Sequence, residues 1–444
     1  MRWTKSICLL AAMGWTAFCL RAQSDLLTLE DAMRLALDHN RSIERAALGA
    51  RSAEDSIMTA KTQRLPVFKF SSTTGILLTQ PTITFEKGAF GSYPGIGPIP
   101  GTDTTITSQR KPAALLDVEL AQPLTQLRRI GLGIKLLEVN HKIAEQQVRL
   151  TRQDVVKQVR QAYYSILQSQ SSLEAVEQTL ALLSELSSET GHYVKVGTAL
   201  DGDLLNVKSR LAQAEYDKVS LDGPLATQKE QLNVLMGRPI DTEFHVSPAV
   251  EASWLPALAE ARERAVASRP DLQQARLKVQ QAEVDRSKKK SEYIPDVSLS
   301  VNYYSFLNVS TTLPRNVGIA GVQLSWEPFD WGRKKSELAQ KDKSVADASL
   351  ALKDMEDKIR IEVGSAHRKM MEARIMLAAS RANQESTREA VRLASVRFRV
   401  SAALLKDVLQ AQSDLASAND RTQKALAAYW SARAELEKAM GEEQ

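Results

Sequence analysis

Little in this chain punctuates a helix. Its 444 residues include 20 glycines and 15 prolines, and aromatic residues make up only 5%. So few helix breakers exclude a loop-rich small-domain architecture. So few aromatics argue against one large compact core, because Phe, Tyr and Trp dominate buried area in such cores. The only cysteines, Cys8 and Cys19, fall within the first 22 residues. Beyond them there is no thiol for a disulfide or a metal. The five histidines (39, 141, 192, 245 and 367) form no HExxH pattern. No nucleophile motif or redox pair appears. The chain therefore does not read as an enzyme, and no cofactor or metal is expected. After residue 22 no apolar run reaches about 18 residues, the length a helix needs to cross a membrane.

The first 22 residues read as a secretion signal. Arg2 and Lys5 form a positive start, Ile7–Leu20 an apolar stretch, and Ala22 a small residue for cleavage. Phe18 precedes Cys19 where a lipid-accepting cysteine normally follows a small residue, so lipidation is not expected. Removing residues 1–22 takes away Arg2, Lys5 and Arg21, and the net charge falls from +5 to +2. Nucleic acid is not an expected partner.

What is present is a long unit written twice. Leu29–Ser71 realigns on Leu258–Ser300 at a constant shift of 229, with Leu65-Pro66 falling on Ile294-Pro295. Further on the shift is 204: Val159 falls on Val363, Asp203 on Asp407, and Met236-Gly237 on Met440-Gly441. The chain thus divides into a first repeat, 23–240, and a second, 241–444. Each reads helix, strand, strand, very long helix, return helix. The first helix is expected over Leu29–Arg64, capped by Thr28 and ended by Pro66. Its counterpart covers Ala257–Glu292, interrupted by Pro270.

Four strands follow from period-two alternation, near 67–76, 114–124, 296–304 and 317–327. In the last, Ala320, Val322, Leu324 and Trp326 alternate with Gly321, Gln323 and Ser325. Alternation over about nine to eleven residues suits a membrane barrel strand. It equally suits a half-buried strand on a soluble sheet. The segment 77–113, rich in Thr, Gly and Pro, reads as a surface loop. The long helices, Gln126–Glu189 and Arg333–Ser395, would each reach about 100 Å. Helices of that length lie on one another as coiled coils. Val159, Ile166, Leu173 and Leu180 form one seam, and Ala162, Ser169, Val176 and Leu183 a second. Two seams suit a helix with neighbours on both sides, as in a ring. Return helices are expected over Leu204–Met236 and Val408–Met440.

Four strands cannot close on themselves. An open edge in hydrocarbon leaves backbone groups unpaired, so strands in a membrane require several copies to share one barrel.

Glu327–Arg333 (EPFDWGR), leading into a long Ala/Leu/Gln/Lys helix, resembles the strand-to-helix signature of the TolC family of outer-membrane efflux proteins. Gln122-Pro123-Leu124, Ser268–Leu272 (SRPDL) and Asp407-Val408-Leu409 look like further family motifs. The resemblance implies a homotrimeric α-helical barrel continued by a twelve-stranded transmembrane β-barrel, four strands per chain. It implies an outer-membrane location with a long periplasmic extension. It also implies a passive exit duct of an efflux or type I secretion system. The partners would be a periplasmic adaptor and an inner-membrane pump of RND, ABC or MFS type, with outer-membrane lipid around the strands.

By the same resemblance, acidic residues one helical turn apart line the periplasmic aperture. Asp407 matches the first and Gln410 stands at the second; Asp203 and Asn206 are their first-repeat counterparts. Asp203 also matches a latch residue whose usual Arg and Tyr partners are Ala403 and Phe398 here. Gly197 and Thr198, with Ser401 and Ala402 in the second repeat, match the adaptor-contact tip. Trp326, Trp331, Arg333 and Lys334 are expected at the membrane boundary. The competing reading is a periplasmic coiled-coil scaffold or adaptor with a small soluble sheet.

Overall fold

The computed structural model describes residues 26–76, 78, 82–107, 112–197, 199–247, 255–307, 314–400 and 402–442. The leader assigned to 1–22, Thr198 and Ser401 lie outside the described residues. The first half contains β1 (Leu26–Leu27), α1 (Leu29–His39), α2 (Arg41–Thr62), β2 (Val67–Ile76), β3 (Thr82–Phe85), β4 (Ser92–Tyr93), β5 (Gly97–Pro98), β6 (Thr104–Thr107), β7 (Pro112–Pro123), α3 (Leu127–Lys195) and α4 (Asp201–Met236). The second half contains β8 (His245–Val246), α5 (Leu258–Ser268), α6 (Pro270–Lys290), β9 (Asp296–Leu307), β10 (Asn316–Ser325), α7 (Arg333–Arg399) and α8 (Leu405–Ala439). The order helix, helix, strand, strand, long helix, return helix thus occurs in both halves.

Three expectations need correction. First, the helix read over 29–64 breaks at Asn40. Asn40 has extended backbone, and its Oδ1 accepts a hydrogen bond from the Ser42 amide at 2.8 Å. It therefore ends α1 and caps α2. Its Nδ2 donates to the Leu235 carbonyl at 2.9 Å. The equivalent break lies at Arg269, with Pro270 as the first residue of α6. Second, the strand read to residue 327 ends at Ser325. The last rung pairs Ser325 with Asp296, where β9 begins. Alternation continues through Trp326, but no partner strand remains. Third, 77–113 is more than a loop: β3 pairs with β6, and β4 with β5. The sequence reading also lacked the parallel pair of β1 and β8, whose two residues each carry no readable period.

The chain divides into two compact units. The first draws its described residues from Met1–Ile43, Arg152–Glu263 and Glu362–Gln444. Its core collects one seam of α3, Val159, Tyr163 and Ile166, together with Leu232 and Met236 of α4. The Tyr163 hydroxyl lies 2.8 Å from the Ser247 carbonyl and 3.0 Å from that of Leu27, joining the α3 face to the β1–β8 pair. Beside it Tyr164 stacks on Trp430 with ring centroids 4.6 Å apart. Burial pushes the Tyr164 hydroxyl up to about 12, so it stays protonated across physiological pH. Next to this pair the buried Arg160 guanidinium donates to Glu437, which also accepts from Arg433 Nε at 2.8 Å.

Gly237 ends α4 with φ +70°, and a Cβ there would lie 2.6 Å from the His39 carbonyl oxygen. That oxygen belongs to the last residue of α1. Gly237→Ala should therefore destabilise by about 1–3 kcal/mol from backbone strain alone, with the clash added. Thermal melting followed at the helix circular-dichroism band checks this. An unchanged midpoint would mean the α1–α4 contact is dispensable.

The second unit draws on Glu44–Thr151 and Arg264–Ile361. Its centre is an antiparallel sheet in the order β10-β9-β7-β2. One rung aligns Phe68, Leu120, Val301 and Ala320; the next on that face aligns Phe70, Val118, Tyr303 and Gly318. The opposite face aligns Lys69, Glu119, Asn302 and Ile319, then Ser71, Asp117, Tyr304 and Val317. The edge strands β2 and β10 are exposed on both faces, Phe68 at 69% and Ile319 at 55%; in the central strands the apolar face is the open one, with Leu120 41% and Val301 42% exposed. Asn302, Glu119 and Asp117 are partly enclosed. Among the described residues β2 and β10 each pair on one side only.

Candidate functional site at the helix tips and strand junctions

The turn from α3 to α4 is set by Gly197, whose φ of +82° stops α3 two residues past Lys195. Nothing lies within 4 Å of where its Cβ would be. Both return helices then start in the same way. The Asp203 amide donates to the Leu200 carbonyl at 3.0 Å, and the Asp203 carboxylate accepts from the Leu200 amide at 3.4 Å. Asp407 repeats this with Leu404 at 3.0 and 3.1 Å. Each aspartate sits at the third helical position and caps the helix start, where the dipole favours negative charge.

Capping uses one carboxylate oxygen of Asp407 and leaves the residue exposed. Gln410, one turn on and also exposed, donates to Asp414 at 3.0 Å. Asn206 is exposed and Asp203 half-buried. Ala402 is exposed, and its amide donates to the Arg397 carbonyl at 2.8 Å.

Asp203, Phe398 and Ala403 do come together. They line one groove of about 410 Å³ with Thr190, Tyr193 and Leu405. Phe398 meets Tyr193 edge-to-face, centroids 6.3 Å apart. Two contacts that sequence reasoning missed join the helix pairs. Arg210 Nη1 donates to the Leu409 carbonyl at 3.1 Å, and Arg399 Nη2 approaches Glu185 Oε1 at 3.5 Å. The second is exposed and contributes little. Their partners stand 199 and 214 residues apart, so no local spacing announces them. Beneath lies an apolar cluster of Leu183, Leu186, Val207, Ala214 and Leu409.

At the strand junction, Trp331 is 88% exposed with φ +51°, and Phe329 meets it edge-to-face. Asp330 caps α7 through the Lys334 and Gly332 amides, and those hydrogen bonds hold its carboxyl below the usual range. Arg333 Nη2 donates to Glu327 at 2.6 Å, and Lys334 Nζ to the Glu327 carbonyl at 3.1 Å. Both cations are thus engaged within the chain.

A mainly helical protein with four antiparallel strands set between very long helices is the class these features define. The chain belongs to the outer membrane efflux protein family, whose profile matches residues 32–238 and 261–442. It is similar to Outer membrane protein TolC of Escherichia coli (strain K12), at 27% identity over 46% of this chain and 42% of that one. The chain thus spans less than half of that relative in the match. Outer membrane efflux protein BepC of Brucella suis biovar 1 is 22% identical over 78% of this chain and 76% of that one. The fold is similar to the Campylobacter jejuni CmeC outer membrane channel, with TM-score 0.74 at 15% identity over 93% of this chain and 85% of that one. Among the described residues no helix is long and apolar enough to cross a membrane.

Proposed function

We propose that the chain is one subunit of a homotrimeric outer-membrane exit duct. Three copies share a twelve-stranded barrel through the open edges of β2 and β10. Their long helices, from two copies of one ancestral unit, continue it as a helical barrel across the periplasm. The observation that carries this reading is the polarity of the sheet. In the central strands β7 and β9 the apolar Leu120 and Val301 are exposed while Asp117, Glu119 and Asn302 on the other face are partly enclosed, the reverse of a soluble half-buried sheet and the arrangement a water-filled barrel in lipid requires.

The duct works passively; an inner-membrane pump and a periplasmic adaptor supply energy and cargo. The tip residues Gly197, Thr198, Ser401 and Ala402 meet the adaptor. Asp407 serves twice, capping α8 and forming a ring of three carboxylates at the aperture, with Gln410, Asp203 and Asn206 around it. Rings of one charge select ions. Family membership favours this reading over an adaptor or scaffold.

The test is conductance in a planar bilayer. The purified protein should form channels blocked by a multivalent cation from the periplasmic side, and Asp407→Ala should weaken the block. Block unchanged in the variant would remove Asp407 from the aperture. Failure to form channels would remove the duct.

A further inference from the structure

We propose that the strand–helix junctions form a basic collar for anionic phospholipid headgroups, with Arg64, Arg128, Lys288, Lys290 and Lys335 as its free cations. The proposal rests on the reading that the sheet lies in a membrane. The antiparallel order places the starts of β2 and β9 and the ends of β7 and β10 at one end of the sheet. The segments flanking that end, 64–66, 123–129, 288–296 and 326–337, carry nine basic and five acidic side chains.

All five acids are engaged within the protein. Asp296 pairs with Arg129 at 2.9 Å. Glu292 and Glu337 both pair with Lys289, at 2.7 and 2.6 Å. Glu327 pairs with Arg333 and Lys334. Asp330 accepts backbone amides. Arg64, Arg128, Lys290 and Lys335 are exposed, Lys288 is half-buried, and none has an acidic partner among the described residues. Their charge is therefore available to an external anion.

Two further observations select a lipid as that anion. Exposed Tyr293, Trp326, Phe329 and Trp331 stand among the cations, the mixture found at a headgroup boundary. Trp331 holds a left-handed backbone that bulky residues seldom adopt, and its indole faces outward. The apolar sheet face begins directly beyond, with Phe68 and Leu324 exposed. A protein partner would need no such continuation into an apolar wall. Unneutralised cations at this level favour a lipid with net negative charge over a zwitterionic one.

The test is tryptophan quenching in vesicles of phosphatidylcholine and phosphatidylglycerol, with bromine on the chains of one lipid or the other. Brominated phosphatidylglycerol should quench more at equal mole fraction. The enrichment beside the protein should be about fivefold, the size one basic side chain provides at a membrane surface. Added salt should reduce the preference in the wild-type protein. Replacing the five cations by Gln should abolish it while quenching by brominated phosphatidylcholine persists. Equal quenching by both lipids, a preference indifferent to salt, or a preference retained by the Gln variant would each overturn the collar and leave the membrane reading standing. Equal quenching together with binding of poly-glutamate by the detergent-solubilised protein would assign the collar to an acidic protein partner. Absence of quenching by either lipid would overturn the membrane reading itself.

Discussion

Val301→Arg should abolish assembly in the membrane, whereas Asn302→Arg should be tolerated. The two residues are neighbours in β9, but they face opposite ways. Val301 stands on the exposed apolar rung with Phe68, Leu120 and Ala320. Asn302 stands on the other face, itself partly enclosed, between Glu119 and Ile319 with Lys69 beyond Glu119. An arginine on the lipid face costs roughly 2–4 kcal/mol at the bilayer midplane, and the cost falls on every copy. An arginine on the lumen face meets water and the Glu119 carboxylate. Trimer recovered from the membrane fraction measures both. Equal tolerance, or greater damage from Asn302→Arg, would mean the apolar face does not meet lipid.

Glu437→Ala should be the most damaging single change in the first unit. Arg160 is buried in α3 and depends on Glu437 of α8, which in turn holds Arg433 over the Trp430 ring. Truncating the carboxylate breaks a buried ion pair by removing one partner, a loss of about 3–5 kcal/mol. Replacing both Arg160 and Glu437 with Met should recover most of it, since a buried ion pair gains little over apolar residues of similar size. Thermal melting of the single and double variants in detergent separates the two effects. A double variant as unstable as Glu437→Ala would show that the guanidinium does more than satisfy its partner.

How much of this was legible depended on whether the signal was local. Pro66 and Pro295 marked where helices give way to strands, and the alternation in 296–304 named the apolar face of β9. Asp203 and Asp407 were placed just before the return helices expected over Leu204–Met236 and Val408–Met440; both lie inside them, at the third helical position. Asn40 was not read as a break, because one polar residue in an amphipathic run looks like its solvent face. Trp326 was read into a strand because alternation outlasts the ladder that makes a strand. The Arg160–Glu437 pair is 277 residues apart in sequence, and no periodicity carries such information. The tips were partly legible. Asp203, Phe398 and Ala403, singled out by the resemblance, line one groove, whereas Arg210 reaching the Leu409 carbonyl had no motif to announce it.

The central claim is that copies of this chain complete one barrel. It is tested most directly by the mass of the purified mature protein in detergent, followed by removal of the detergent. The account predicts a trimer that precipitates when detergent is withdrawn, because the outer face of the shared barrel is apolar. A monomer or dimer that stays soluble without detergent would contradict it, and the sheet would then have to be read as a soluble one.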